Sequence, residues 1–158
     1  LIDYLDAGHY IAVDKQEELV AAGREQEVGE AVWLAKRPEV VITDSFEFER
    51  LSKKPDFAIA QSVFTHLSAT DIRLCLRKLG SFVPPHCRVY ATYFITERPV
   101  ANLLGSHSSR RFEFTVDQIE AFGAESGWSM RYVGDWGHPR EQMLAVYTRA
   151  DAGGSSEG

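Results

Sequence analysis

Residues 9–24 read HYIAVDKQEELVAAGR, and this stretch decides the fold. Four apolar or aromatic residues, Tyr10 to Val13, run straight into one acid, Asp14. A segment rich in Glu, Ala and Leu follows at once, so the stretch reads as a strand feeding a helix from Gln16 to about Glu30. The same rhythm recurs downstream. Short apolar runs at Val40–Thr43, Phe57–Ala60, Val89–Ile95, Arg131–Gly134 and Met143–Thr148 predict further strands. Several are apolar at nearly every position, the pattern of parallel strands covered on both faces.

Between them lie helical patterns. Ser68 to Phe82 puts Ile72, Cys75, Leu76, Leu79 and Phe82 on one face. It opens Ser68-Ala-Thr-Asp71, with a hydroxyl and an acid placed to satisfy free amides. Thr115-Val-Asp-Gln118 is a second such start, leading into Ile119 and Phe122, and that helix is expected to stop near Gly127.

Alternating strands and helices at this spacing predict an α/β fold, a doubly wound, mostly parallel sheet. Only about seven residues around Trp136–Arg140 separate the last two strands, fewer than a parallel crossover requires. The carboxyl-terminal pair is therefore expected to be antiparallel. Residues 1–149 are read as one domain, and Ala150–Gly158, ADAGGSSEG, as a disordered tail. There is no internal repeat.

The chain has 158 residues, 44% of them hydrophobic and 25% charged, enough to bury a core in one domain. A net charge of −6 argues against a nucleic-acid or anionic-membrane surface. Ser108-Ser109-Arg110-Arg111 is the one local basic candidate. No apolar run approaches the ~20 residues of a membrane span, and the amino terminus does not resemble a signal peptide. Two cysteines, Cys75 and Cys87, are too few for a disulfide framework, and no metal-ligand spacing occurs. The expectation is a cytoplasmic protein without a metal. Neither a nucleophile elbow nor a phosphate-binding loop is present.

In open α/β sheets ligands bind outside the carboxyl ends of the strands. A carboxylate there, acceptor-only and with two oxygens, suits the vicinal hydroxyls of a ribose. Asp14 is so placed, although it can also cap the following helix. The second run ends in Asp44-Ser45-Phe46, and the third in Gln61-Ser62-Val63-Phe64-Thr65-His66-Leu67. Polar groups thus gather at the same edge of three strands.

These segments together resemble the class I S-adenosylmethionine-dependent methyltransferases. YLDAGHYIAVDKQEELVAAGR is similar to their second-strand motif. PDFAIAQSVFTHLSATDIRLCLRKLGSFVPPHCRVYATYFI is similar to their fourth strand, following helix and fifth strand. Pro85-His86-Cys87 stands where many members read Pro-Gly-Gly. The antiparallel final pair matches as well, and the resemblance covers essentially residues 1 to 149. It implies S-adenosyl-L-methionine as cofactor, with Asp14 on its ribose and Asp44 on its adenine amino group. Ser45 or Phe46 would lie beside the ring, and Gln61 near the methionine part.

The family's glycine-rich turn after its first strand is not found. Only 13 residues precede Asp14, and Gly8 is the one glycine among them. The expectation is a Rossmann-like sheet with its first strand absent, a native polypeptide that extends upstream, and a chain inactive on its own. His66 is the candidate base for a hydroxyl acceptor. Tyr93, Thr96 and Glu97 are candidates to line an acceptor pocket, and Arg110 and Arg111 to pair an anionic substrate. His138 reads as a turn residue. The acceptor is expected to be a small molecule. Two other readings stand beside this one: a non-catalytic binding or scaffold domain of the same fold, and a nicotinamide-dependent oxidoreductase.

Overall fold

The computed structural model describes residues 1–150, which divide into two compact units, one from Leu1 to Ser52 and one from Lys53 onward. Apart from Ala150, the predicted tail lies outside the described residues.

In the first unit, β1 (Ile11–Asp14) pairs in parallel with β2 (Glu39–Ile42), Asp14 opposite Ile42. The crossover is not the single helix expected. It consists of α1 (Glu17–Ala22), a π-helical segment (Gly23–Val28) and α2 (Glu30–Lys36). The break falls at Gly29, whose φ of +82° only glycine adopts without strain. Its amide donates back to the carbonyl of Arg24 at 2.9 Å, closing the wider π turn. Residues 1–8 form turns, and Lys36 holds them by donating to the carbonyls of Asp3 and Leu5 at 2.8 and 2.6 Å. Among the described residues no strand precedes β1. The apolar core is small: Ile2, Val41, Phe48 and Leu51 are buried.

The second unit holds β3 (Phe57–Ala60), β4 (Arg88–Ile95), β5 (Glu113–Phe114), β6 (Trp128–Gly134) and β7 (Met143–Arg149). The order is β3-β4-β7-β6, with β5 paired to the end of β4. β4 runs parallel to β3 and β5 and antiparallel to β7, which is antiparallel to β6 as the short connection requires. The sequence did not announce β5, because two residues carry no periodicity. α3 (Ala69–Phe82) and α4 (Val116–Ala124) begin at their predicted caps. Ser68 Oγ accepts from the Asp71 amide, and Thr115 and Gln118 form a reciprocal capping box.

The core of this unit is aromatic. Phe64, Tyr93, Phe114 and Phe122 meet edge to face with centroids 5.7, 6.4 and 5.1 Å apart, a geometry that sets positive ring edges against negative faces. Trp128 is enclosed and donates from Nε1 to the Leu76 carbonyl at 2.8 Å.

One expectation needs correction. Coverage on both faces holds for the middle of β4 but not for β3, where Phe57 and Ile59 are 62% and 56% exposed. β3 is an edge strand of its sheet, and alternate residues face away from the packed side.

Candidate functional site

The carboxyl ends of β1 and β2 lie side by side, and the Thr43 amide donates to the Asp14 carbonyl at 2.9 Å. Asp14 is half-buried, and its Oδ1 accepts from the Gln16 amide at 2.9 Å. That bond closes an Asx-turn. The helix N-cap is Gln16, so Asp14 shapes the entry to α1 without being its cap. Its Oδ2 has no partner among the described residues and can accept from a ligand hydroxyl.

After β2, Thr43 organises the turn. Its hydroxyl donates to Glu47 at 2.9 Å and accepts from the Ser45 amide at 3.2 Å. Asp44 is exposed, and no side chain among the described residues engages its carboxylate. Phe46 holds φ +55°, a left-handed conformation that costs a bulky residue energy, and its ring stacks on buried Phe48 with centroids 6.3 Å apart. Asp14, Asp44, Ser45 and Phe46 thus share one sheet edge. An open carboxylate, a second exposed acid and a fixed aromatic ring fit the hydroxyls, amino group and ring of a nucleoside. A hollow of about 620 Å³ in this unit opens elsewhere, among Val20, Arg24, Glu30, Trp33 and Val40, and includes none of these four.

In the second unit, Gln61 follows β3 and is exposed. Its neighbour Ser62 is left-handed at φ +55°. Ser62 is held from both ends: its amide donates to Thr92 Oγ1 at 2.8 Å and its hydroxyl to Gln142 Oε1 at 3.1 Å. Thr92 Oγ1 donates to the same Gln142 oxygen at 2.7 Å. Sequence reading missed this buried network, because its members lie 30 to 80 positions apart and no local pattern links them.

His66 ends a short 3-10 turn, Phe64–His66. Its Nδ1 lies 2.8 Å from the Arg110 carbonyl, which can only accept. Nδ1 therefore carries the proton, and in the neutral ring Nε2 presents its lone pair. The segment before β5 is bonded along this turn. The Phe112 amide donates to the Thr65 carbonyl at 2.9 Å and the His107 amide to the His66 carbonyl at 3.1 Å. Ser106 Oγ accepts from the Ser68 amide at 2.7 Å. Thr65 Oγ1 is the one buried side-chain polar atom without a partner among the described residues. A hollow of about 200 Å³ opens beside this segment, lined by Ser68, Val100, Leu103, Leu104, Phe114 and Gln118.

Other candidates fare differently. Tyr93 is fully enclosed, and its hydroxyl lies 2.7 Å from that of Tyr147, which donates to the Ile119 carbonyl at 3.0 Å. Burial, together with the Tyr147 hydroxyl, pushes its pKa well up. Tyr93 is a fully buried core residue. The Arg111 guanidinium lies 3.8 Å above the Phe94 ring and pairs with Glu113 at 2.6 Å, so its charge is already engaged. Arg110 is exposed. Thr96 is turned back, its hydroxyl donating to the Arg98 carbonyl at 2.9 Å.

Solved structures share this architecture. CalO1, a methyltransferase of calicheamicin biosynthesis in its S-adenosylhomocysteine-bound form, superposes with a TM-score of 0.63 at 19% identity, over 88% of this chain and 41% of that one. The glycopeptide N-methyltransferase MtfA, complexed with S-adenosylhomocysteine, gives 0.66 at 14% identity, over 89% of this chain and 73% of that one. Human N-acetylserotonin methyltransferase, in complex with S-adenosylmethionine, gives 0.63 at 12% identity over 89% and 40%. The chain has the class I methyltransferase fold. It spans about two fifths of the length of CalO1 and of the human enzyme. No protein-family model and no curated protein matches the sequence. No helix among the described residues is long and apolar enough to cross a membrane, and none of their acids, histidines or cysteines cluster as a metal site.

Proposed function

We propose that this protein binds S-adenosyl-L-methionine and transfers its methyl group to a small-molecule acceptor. The observation that carries the reading is the edge of the β1–β2 sheet. Asp14 spends one oxygen on its own turn and keeps the other open, beside a second strand end bearing Asp44 and a strained Phe46. Residues held in strained backbone conformations cluster at ligand sites, and Phe46 is one such residue at this sheet edge.

Asp14 takes the ribose hydroxyls, Asp44 the adenine amino group, and Ser45 or Phe46 lies beside the ring. Gln61 serves the methionine part. When bound, the cofactor supplies an electrophilic methyl on a sulfonium, which an acceptor lone pair displaces in line. The chain's task is to hold the acceptor and, for a hydroxyl, to remove its proton. His66 does the latter: the Arg110 carbonyl holds the ring in the tautomer whose Nε2 accepts. Arg110, which is exposed, is available to an anionic acceptor.

The test is a calorimetric titration of the full-length native protein with S-adenosylhomocysteine, alongside a thermal-shift measurement with NAD. Saturable heat with the first and no shift with the second is expected. No heat with S-adenosylhomocysteine and no shift with NAD would make the fold a scaffold, and a shift with NAD alone would make it an oxidoreductase.

A further inference from the structure

Four features of the second unit converge on the connection between β6 and β7. First, the ladder slips between Tyr132 and Gly134, a bulge that re-aims the chain. Second, the connection holds Glu141 at φ +56°, a left-handed conformation uncommon for a residue with a side chain, beside Gly137 at +80°. Third, Trp136 is fixed rather than loose. Its Nε1 donates to the Gln142 carbonyl at 2.9 Å, and its ring stacks on His138 with centroids 5.4 Å apart at 28°. Yet the indole is 42% exposed. Fourth, Gln142 is itself 2% exposed and is anchored through Oε1 to Thr92 and Ser62. One hydrogen-bonded chain thus runs from the exposed indole through β4 to the strained end of β3.

An exposed aromatic ring normally gains by turning onto the protein surface. Here one hydrogen bond and the stack on His138 hold it in place at the carboxyl edge of the sheet, where this fold class places ligands. A rigid indole loses little entropy on binding, which is the property of an aromatic anchor. His138 adds a polar edge. Its Nδ1 accepts from the Arg140 amide at 3.2 Å, so in the neutral ring the remaining N–H sits on Nε2 and points away from that bond.

We infer that the β6–β7 connection is an acceptor-binding platform, on which Trp136 stacks a planar aromatic acceptor and His138 donates to its polar edge. Gln142 is a positioning residue that fixes the platform to β4 and β3. The assignment deepens the methyl-transfer reading and rests on it for the word acceptor, but the stacking surface stands on its own geometry.

The test is fluorine NMR on full-length native protein labelled with fluorotryptophan, titrated with naphthol as a planar phenolic probe. The resonance lost in Trp136→Phe is assigned to Trp136, and that of enclosed Trp128 is the internal control. A saturable shift of the Trp136 resonance, with Trp128 unmoved, is expected. Trp136→Ala should weaken naphthol binding about tenfold, whereas Trp136→Phe, which retains a stacking face, should hold it within about threefold. Circular dichroism of each variant checks the fold. Gln142→Leu, which keeps Trp136 but removes its anchor, should broaden the Trp136 resonance and weaken naphthol binding. No shift at Trp136, or equal affinity in wild type and Trp136→Ala, overturns the platform and leaves the stack a hairpin clasp. S-adenosylhomocysteine titrated in parallel separates the two claims, since its failure would remove the cofactor and leave the naphthol result intact.

Discussion

Asp14 divides its oxygens between architecture and ligand. Oδ1 shapes the turn into α1, and Oδ2 is open. Asp14→Asn keeps an oxygen for the Gln16 amide and removes the charge. Affinity for S-adenosylhomocysteine should then fall about ten- to hundredfold, the value of a charge-assisted hydrogen bond, with the melting temperature nearly unchanged. Calorimetry of the variant checks this, and unaltered affinity would reduce Asp14 to a turn residue. The two cysteines make the opposite case. Burial pushes Cys75 up to about 12, and burial with the Asp56 carboxylate pushes Cys87 up to about 11. Both thiols should resist thiol reagents at neutral pH until the protein unfolds. Their folded values lie above the ordinary 9.0, so the stability they contribute is complete below pH 9.0 and is lost as pH rises toward 11 and 12. Buried Tyr93 and Tyr147 are shifted up as well and act in the same direction. Urea midpoints should therefore decline above pH 9.0, and less steeply in Cys75→Ala. Gly123 is a packing position: a Cβ there would lie 2.8 Å from the enclosed Tyr147 ring and 3.3 Å from the Trp128 carbonyl. Gly123→Ala should cost about 1–3 kcal/mol through overpacking, read as a lowered denaturation midpoint.

Among the elements, α3 and α4 were the most legible in the sequence. Each carries its start signal, Ser68 or Thr115, within three residues of the group it bonds, so the information is local. Thr115→Ala removes the capping box and should destabilise the protein by about 1 kcal/mol, seen as a shifted thermal midpoint. The segment from Glu17 to Lys36 was legible as helical but not in its division, because composition does not register a π turn. Gly29 was the available signal. The strands were found because apolar runs are also local, whereas the exposure of Phe57 and Ile59 depends on which neighbours flank β3. The platform at Trp136–Gln142 was invisible for the same reason. Trp136 stood only in a short connection, His138 read as a turn residue, and Gln142 acquires meaning only against Thr92 and Ser62.

Over the whole molecule, the two units differ in how much apolar surface they enclose. The second concentrates the aromatic core between β4, β7, α3 and α4, while the first buries four apolar side chains. Amide hydrogen exchange should therefore be slowest in β4 and β7 and clearly faster in β1 and β2. Uniform protection across both sheets would contradict that ordering. The α/β alternation, the caps, the antiparallel final pair and the acids at the strand ends were all written in the chain, since each depends on residues a few positions apart. Pairing partners, the enclosure of Tyr93, the capture of Arg111 by Phe94 and Glu113, the tautomer of His66 and the fixing of Trp136 were not. Each of these is an interaction between segments remote in sequence. Side-chain availability is a property of surroundings, and the surroundings exist only once the chain has folded. HYIAVDKQEELVAAGR announced a strand ending in a carboxylate; folding determined that one oxygen of that carboxylate stays open.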